Sequence, residues 1–252
     1  MLRAAYLDMD GTLLGRGASL FHDADGAFTL LGARALEACA RAGVEVVPFS
    51  GRRRTTLAHD TRLLGLRSYV YEAGAGVILD GELLWAAEEG DDAAANALLL
   101  ERYAGRLEMH DPWQLGRASS RLYMGSAIDV AEADELLIEE GHGAFRLVDN
   151  GLMHGAEGRG RAYHLVPREA SKARAVERHM RARGYAPEEA IAVGDSPEDL
   201  GAAEVVGTFW LVANALPDVQ AAARALSNTR ITEEANGAGV YEAIITELAE
   251  RR

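Results

Sequence analysis

Asp8-Met9-Asp10-Gly11-Thr12 is the stretch of this 252-residue chain with the most evident chemistry. It follows Ala4-Ala5-Tyr6-Leu7, an apolar run suited to a buried strand. Carboxylates two residues apart at a strand end point to the same side of the chain. Gly11 lets the backbone turn sharply and come close to a ligand. Unpaired carboxylates at the edge of a core are costly, so packing alone would not choose this layout. A hard divalent cation makes it favourable, because such ions take oxygen ligands, and magnesium typically binds one or two carboxylates together with phosphate and water.

Four further sites add polar chemistry, three of them at strand ends. Of the 26 lysines and arginines only Lys172 is a lysine. A compact ammonium on a flexible stem suits a tight anionic site that the planar guanidinium fork does not. Ser50-Gly51-Arg52 follows the apolar run Val44 to Phe49, and Ser50 is expected to open a helix, where a hydroxyl and free N–H groups make a phosphate cradle. Gly194-Asp195, with Asp199 four residues after Asp195, follows Ala190-Ile191-Ala192-Val193 and supplies a second acidic pair. Asn214 lies near the end of another apolar run.

These groups need a frame that gathers strand ends. Strands are expected at 4–7, 44–49, 69–71, 190–193, 208–212 and 229–231, and helices at 32–41, 55–64, 171–183, 217–226 and 240–250. Such alternation predicts an α/β fold with a doubly wound, parallel, Rossmann-like sheet, whose ligands bind at the carboxyl ends of the strands. Val77-Ile78-Leu79 and Leu83-Leu84-Trp85 are expected to form a hairpin around Asp80-Gly81. The character changes near Ala86: helices at 91–106 and 130–140, a strand at 121–126, a hairpin turning at Asp149-Asn150-Gly151 into Leu152-Met153-His154, a loop at 155–160 and a strand at 163–166. The expected division is a core of residues 1–80 and 165–252 with a smaller inserted α/β unit at 81–164.

The formal charge of −13 opposes nucleic acid and anionic membrane surfaces as partners, and requires any site for a phosphorylated ligand to be positive locally. No apolar run approaches bilayer length. Cys39 is the sole cysteine, and Met1-Leu2-Arg3-Ala4 runs into a strand without a signal-peptide layout, so a cytoplasmic setting is expected.

Acidic pair, hydroxyl, lone lysine and second acidic pair, in that order, resemble the haloacid dehalogenase superfamily, whose members are mostly magnesium-dependent phosphatases. The middle segment resembles the branch with a large α/β cap, which includes sugar-phosphate, sucrose-phosphate and mannosylphosphoglycerate phosphatases and phosphomannomutases. Asn214-Ala215 and Gly239-Val240 are similar to that branch as well. The resemblance implies Asp8 as nucleophile, Asp10 as general acid and base, and Lys172 as a catalytic cation. It implies phosphate contacts from Ser50, Gly51, Arg52 and Asn214, and magnesium held by Asp8, Asp10, Asp195 and Asp199. The implied partner is a small phosphate ester, handled by a monomer or homodimer. Arg117, Arg121, His142, His154, Arg159 and Arg161 are candidates for contacting it from the cap. Two departures stand out: Glu72-Ala73-Gly74 where the branch usually has Glu-Asn-Gly, and Glu198-Asp199 where it often has Asn-Asp. The same site could serve a phosphomutase. A receiver-like signalling module, the remaining alternative, needs neither an inserted cap nor a second acid at Asp10.

Overall fold

A computed structural model describes residues 1–88, 90–111, 113–152 and 160–251. The strands are β1 (Ala4–Leu7), β2 (Glu45–Pro48), β3 (Tyr69–Tyr71), β4 (Gly76–Leu79), β5 (Glu82–Ala86), β6 (Leu107–Met109), β7 (Arg121–Gly125), β8 (Phe145–Leu152), β9 (Arg161–Pro167), β10 (Ala190–Gly194), β11 (Thr208–Leu211) and β12 (Thr229–Ile231). The helices are α1 (Leu31–Ala42), α2 (Arg54–Leu63), α3 (Ala93–Arg102), α4 (Val130–Glu139), α5 (Lys172–Arg183), α6 (Pro197–Leu200), α7 (Pro217–Arg224) and α8 (Asn236–Glu250).

The central sheet has the order β12-β11-β10-β1-β2, with every pair parallel. Both of its faces are covered, which is why its strands read as unbroken apolar runs. Ala5 and Leu7 pack with Cys39 of α1 and Ile244 of α8. Ala4 and Tyr6 pack with Val176 of α5 and Val219 of α7 on the other face. From β1 the chain goes one way to β2 and later returns on the other side as β10. The carboxyl ends of β1 and β10 therefore flank the point where the winding reverses, the place where open α/β sheets form a crevice.

A second sheet, β6-β7-β9-β8, is antiparallel throughout. Tyr163 and Leu165 of β9 pack with Leu99 of α3 and Leu137 of α4. Strand alternation then sends Val166 to the opposite face, where it joins Val148, Ala73 and Ala170. The second sheet thus has its own helices on one side, and its other side packs on Ala73 and Ala75, beside the separate three-stranded antiparallel sheet β3-β4-β5, and on Ala170 ahead of α5.

Asp149-Asn150-Gly151 is not the turn its composition predicts. Strand β8 runs straight through it, and the register against β9 shifts between Asp149 and Leu152. Gly151 has φ 84°; a bulge uses a left-handed glycine as readily as a primed turn does, so the dipeptide signal fits both. Met153 and His154, expected on the far arm, lie outside the described residues, as does most of the 155–160 loop. The helix expected at 91–106 ends at Arg102, and its last residues lead into β6, a strand the apolar pattern did not mark. Asp80 and Gly81, both at positive φ, make the primed hairpin expected between β4 and β5.

Candidate active site

The first acidic residue leaves the sheet in register. The Asp8 amide donates to Val193 O at 3.0 Å, extending the β1–β10 ladder, and Gly11 then turns at φ 85°. Asp8 is buried at 4% exposure and Lys172, the first residue of α5, at 0%. Lys172 Nζ donates to Asp8 Oδ1 at 2.7 Å and to Asp199 Oδ1 at 2.5 Å. The Phe49 ring centroid lies 5.0 Å from the same nitrogen. Four sequence-distant residues thus meet at the crevice: Asp8 after β1, Lys172 on α5, and Asp195 and Asp199 after β10.

Asp8, Asp195 and Asp199 each present a carboxylate oxygen within 4.8 Å of the others. One lysine does not balance three carboxylates. Burial, followed by repulsion from Asp199, pushes the Asp8 carboxyl up to about 7 even against the pull of Lys172. Burial, then Asp8 and Asp199, raises Asp195 as well. Burial works against the Lys172 charge, but Asp199 and Asp8 more than offset it and hold the ammonium protonated. An all-oxygen, electron-rich donor set of this kind fits a hard divalent cation. The three carboxylates are not equivalent. Asp199 Oδ2 already accepts from the amides of Asp195 and Ser196 and from Ser196 Oγ, at 3.1, 3.0 and 2.7 Å. Its other oxygen holds Lys172. Asp199 is thereby fixed as the support of Lys172, while Thr12 Oγ1 donates to Asp195 Oδ1 at 2.9 Å and aims that carboxylate.

The other residues singled out from the sequence are placed less uniformly. Ser50 is buried, with its Oγ accepting from the Arg52 amide at 3.1 Å. It does not open a helix, because α2 begins only at Arg54. Asp10 stands apart from the three-carboxylate group: both of its oxygens accept from Arg52, at 2.7 and 2.6 Å, and it is partly exposed. Arg52 also donates to Asp60 at 2.6 Å. Its guanidinium is shared between two carboxylates, Asp10 and Asp60, at the edge of the cavity. Asn214 is likewise committed elsewhere, donating to Gly11 O at 2.7 Å and accepting from the Asn236 amide at 2.8 Å. It tethers the Asp8–Gly11 loop. The packing reason is shared: each polar group satisfies the nearest buried partner, and a linear pattern does not show which partner is near.

Gly51 marks where the two sheets meet. A Cβ there would lie 2.8 Å from both Asn150 Nδ2 and His164 Nε2, side chains of β8 and β9. Arg117 Nη1 donates to Gly51 O at 2.9 Å from the second-sheet side. Glu72, fully buried, accepts from the amides of Ala118 and Ser119 at 3.0 and 2.9 Å and from Ser120 Oγ at 3.2 Å. Glu198 Oε1 accepts from Arg146 of β8 at 2.7 Å and from the Lys172 amide at 3.1 Å. The two residues that depart from the branch pattern, Ala73 and Glu198, both touch the second sheet: Ala73 packs with Val148 and Val166, and Glu198 holds Arg146. Between the sheets lies a cavity of about 640 Å³, bordered by Asp10, Gly51 and Arg53 below and by Trp113, Arg117 and His164 above.

Of the other cap candidates, Arg121 pairs with Asp92 at 2.6 Å and Arg161 with Asp149 at 2.6 Å. His142 lies in the turn after α4, and His154 and Arg159 fall outside the described residues. Asn150 and His164 border the cavity and Asn236 holds Gly11 O, although none of the three was marked as functional from the sequence. A polar residue inside an apolar strand run, as His164 is within 163–166, was the one available signal.

Comparison with known proteins agrees with this geometry. Residues 149–244 match the haloacid dehalogenase-like hydrolase family. A phosphoglycolate phosphatase of Halorubrum lacusprofundi is 30% identical over 221 residues, covering 83% of each chain. A phosphoglycolate phosphatase of Archaeoglobus fulgidus is 26% identical over 96% of this chain and 95% of its own. Among solved structures, a sucrose-phosphatase of Synechocystis superposes with a TM-score of 0.70 at 16% identity, covering 98% of each chain. A haloacid dehalogenase-like hydrolase of Bacillus subtilis gives 0.67 at 19% identity, covering 97% of this chain and 99% of that one. The chain belongs to the haloacid dehalogenase-like hydrolases, and within them it is a phosphatase. Among the described residues, no helix is long and apolar enough to cross a membrane.

Proposed function

We propose that the protein is a magnesium-dependent phosphomonoester hydrolase that works through an aspartyl-phosphate. The observation that carries this reading is the buried Lys172 ammonium seated between Asp8 and Asp199 at 2.7 and 2.5 Å, with Asp195 in the same cluster. Lys172 holds Asp8 Oδ1 and leaves the second oxygen to attack phosphorus, splitting one hard displacement into two. Asp10 protonates the departing alcohol and then takes a proton from the water that opens the acyl phosphate. Its pairing with Arg52 keeps the carboxylate oriented between the two proton transfers. Lys172 and the Ser50 hydroxyl stabilise charge on the phosphoryl oxygens. Asp8, Asp195 and the Asp10 carbonyl would hold magnesium, with Asp199 behind them. Bound there, the ion would supply the positive charge that lets an anionic nucleophile meet an anionic phosphate.

Residues 81–164 act in this reading as a cap over the crevice that excludes water and selects the alcohol portion. The substrate is a small phosphorylated metabolite, a sugar phosphate or a phosphoglycerate-type ester; two similar proteins bear the name phosphoglycolate phosphatase, and the similar solved structure is a sucrose-phosphatase. The test is a panel of phosphate monoesters assayed with magnesium and with chelator. Release of inorganic phosphate only with magnesium supports the reading. Conversion of a sugar phosphate into its isomer without phosphate release would make the protein a mutase instead.

A further inference from the structure

The turn that brings Lys172 into the crevice is held from three sides. Ser171 caps α5, its Oγ accepting from the Arg174 amide at 3.0 Å. Gly74 packs against the turn so closely that a Cβ there would stand 2.1 Å from Ser171 C and 2.6 Å from Lys172 N. The third side belongs to the inserted unit. Arg146 of β8 donates through Nε to Ala170 O at 3.0 Å and through Nη2 to Glu198 Oε1 at 2.7 Å. That same carboxylate oxygen accepts from the Lys172 amide at 3.1 Å. One guanidinium thus grips residue 170 directly and residue 172 through Glu198. The first amides of a helix have no partner within it, so the oxygen that meets the Lys172 N–H fixes where α5 begins. Glu198 is itself an awkward group at this place. Its side chain is 10% exposed, and it stands next in sequence to Asp199, one of the three carboxylates that share a single lysine. A buried charge stripped of its partner is strongly destabilising. Arg146 supplies the counter-charge, a need that the asparagine common at this position in the branch would not create.

We propose that Arg146 is a positioning residue for Lys172: through Ala170 and Glu198 it sets the start of α5, so that the inserted unit contributes to the phosphoryl step as well as to the choice of alcohol. This rests on the phosphatase reading above. Lys172 Nζ serves that step only while it stands between Asp8 and Asp199. A misplacement of about 1 Å can cost on the order of 100-fold in rate, even when its cause lies away from the reacting atoms. The phosphoryl group is common to every ester, so loss of Arg146 lowers kcat by the same factor whatever the alcohol. A residue that touched the alcohol would instead change KM, and by different factors for different esters.

The experiment measures kcat and KM with magnesium, well below each variant's Tm, on the phosphate monoesters of a sugar and of a simple alkyl alcohol. Arg146→Gln is expected to lower kcat about tenfold or more on both esters, with KM within about twofold of the wild type. Arg146→Lys keeps a charge beside Glu198 but cannot also bridge to Ala170 O, and its kcat is expected to fall between the two. The double variant Arg146→Gln, Glu198→Gln removes both charges and leaves an amide oxygen for Lys172, so its kcat is expected above that of Arg146→Gln alone. Arg183→Gln is the control for the stability of α5. Arg183 ends that helix and pairs with Glu45 at 2.7 Å and Asp80 at 2.8 Å, so its loss is expected to lower Tm while kcat is retained. Equal falls in kcat in Arg183→Gln and Arg146→Gln would show that only helix stability matters and overturn the proposal. So would a loss in Arg146→Gln that lies in KM and differs between the esters. Should Arg146→Gln fail to fold, Arg146→Lys decides, and an unchanged kcat there overturns the proposal. Hydrolysis of neither ester by the wild type would end the phosphatase reading and this proposal with it; hydrolysis that Arg146→Gln leaves intact ends the proposal alone.

Discussion

At the scale of single residues, the site turns on how few groups share the crevice and how completely each is used. Asp8→Asn removes the nucleophile and is expected to lower phosphate release on the order of a thousandfold or more while the circular dichroism spectrum is retained. Activity near that of the wild type would disprove the covalent route. Lys172→Arg is expected to cost on the order of 100-fold to 1,000-fold in kcat, although it keeps the charge. The ammonium sits at 0% exposure against two carboxylates and the face of Phe49, and a guanidinium cannot occupy that volume in the same geometry. Lys172 was legible in the sequence because it is the single lysine; its support was not. That Asp199 has both oxygens engaged, and so acts through Lys172, depends on α6 folding back over the end of β10, a matter of three residues' backbone geometry.

At the scale of elements, the loop ahead of β7 is held by a carboxylate that follows β3. Glu72, just past β3, accepts from consecutive amides at 118 and 119, ahead of β7. Glu72→Ala leaves those donors without their acceptor and is expected to cost about 1–3 kcal/mol in urea unfolding. Amide exchange at Ala118 and Ser119 is expected to accelerate more than at Leu99 in the α3 core. A uniform change in exchange would show that Glu72 stabilises the whole fold and does not act locally. Gly51→Ala places a methyl 2.8 Å from Asn150 and His164 and pushes β8 and β9 away. A several-fold rise in KM with a smaller change in kcat is the expected kinetic signature, because the alcohol portion loses contact before the phosphoryl group does.

Across the whole molecule, stability is linked to pH through the carboxylates buried at the crevice. The folded Asp8 carboxyl, pushed up to about 7, keeps its proton in a range where the unfolded chain, titrating at about 4, has released it. The folded state therefore binds more protons, and this contribution to stability is full below about pH 4 and lost as the pH rises toward 7. With metal stripped, Asp8→Asn is expected to melt above the wild type at pH 8, the gap closing near pH 5. Adding magnesium is expected to raise the wild-type Tm more at pH 8 than at pH 5, since at the lower pH the ion must displace protons. Equal gains at the two pH values would place the ion elsewhere.

Local signals along the chain were enough for the parallel sheet, the order of its elements and the four strand-end motifs, because a strand buried on both faces must be apolar and the polarity switches where it leaves the core. The same local signals misread Asp149-Asn150-Gly151, where a left-handed glycine serves a bulge as well as a turn. Nor did they show that Arg52 pairs with Asp10 and Asp60, or that Asn214 holds Gly11. Partnership among polar groups is a property of through-space distance, which the packing of one sheet on the other sets. The meeting of His164, Asn150 and Arg117 above Gly51 was therefore decided only by the folded molecule, since residues separated by most of the chain reach one cavity through tertiary packing.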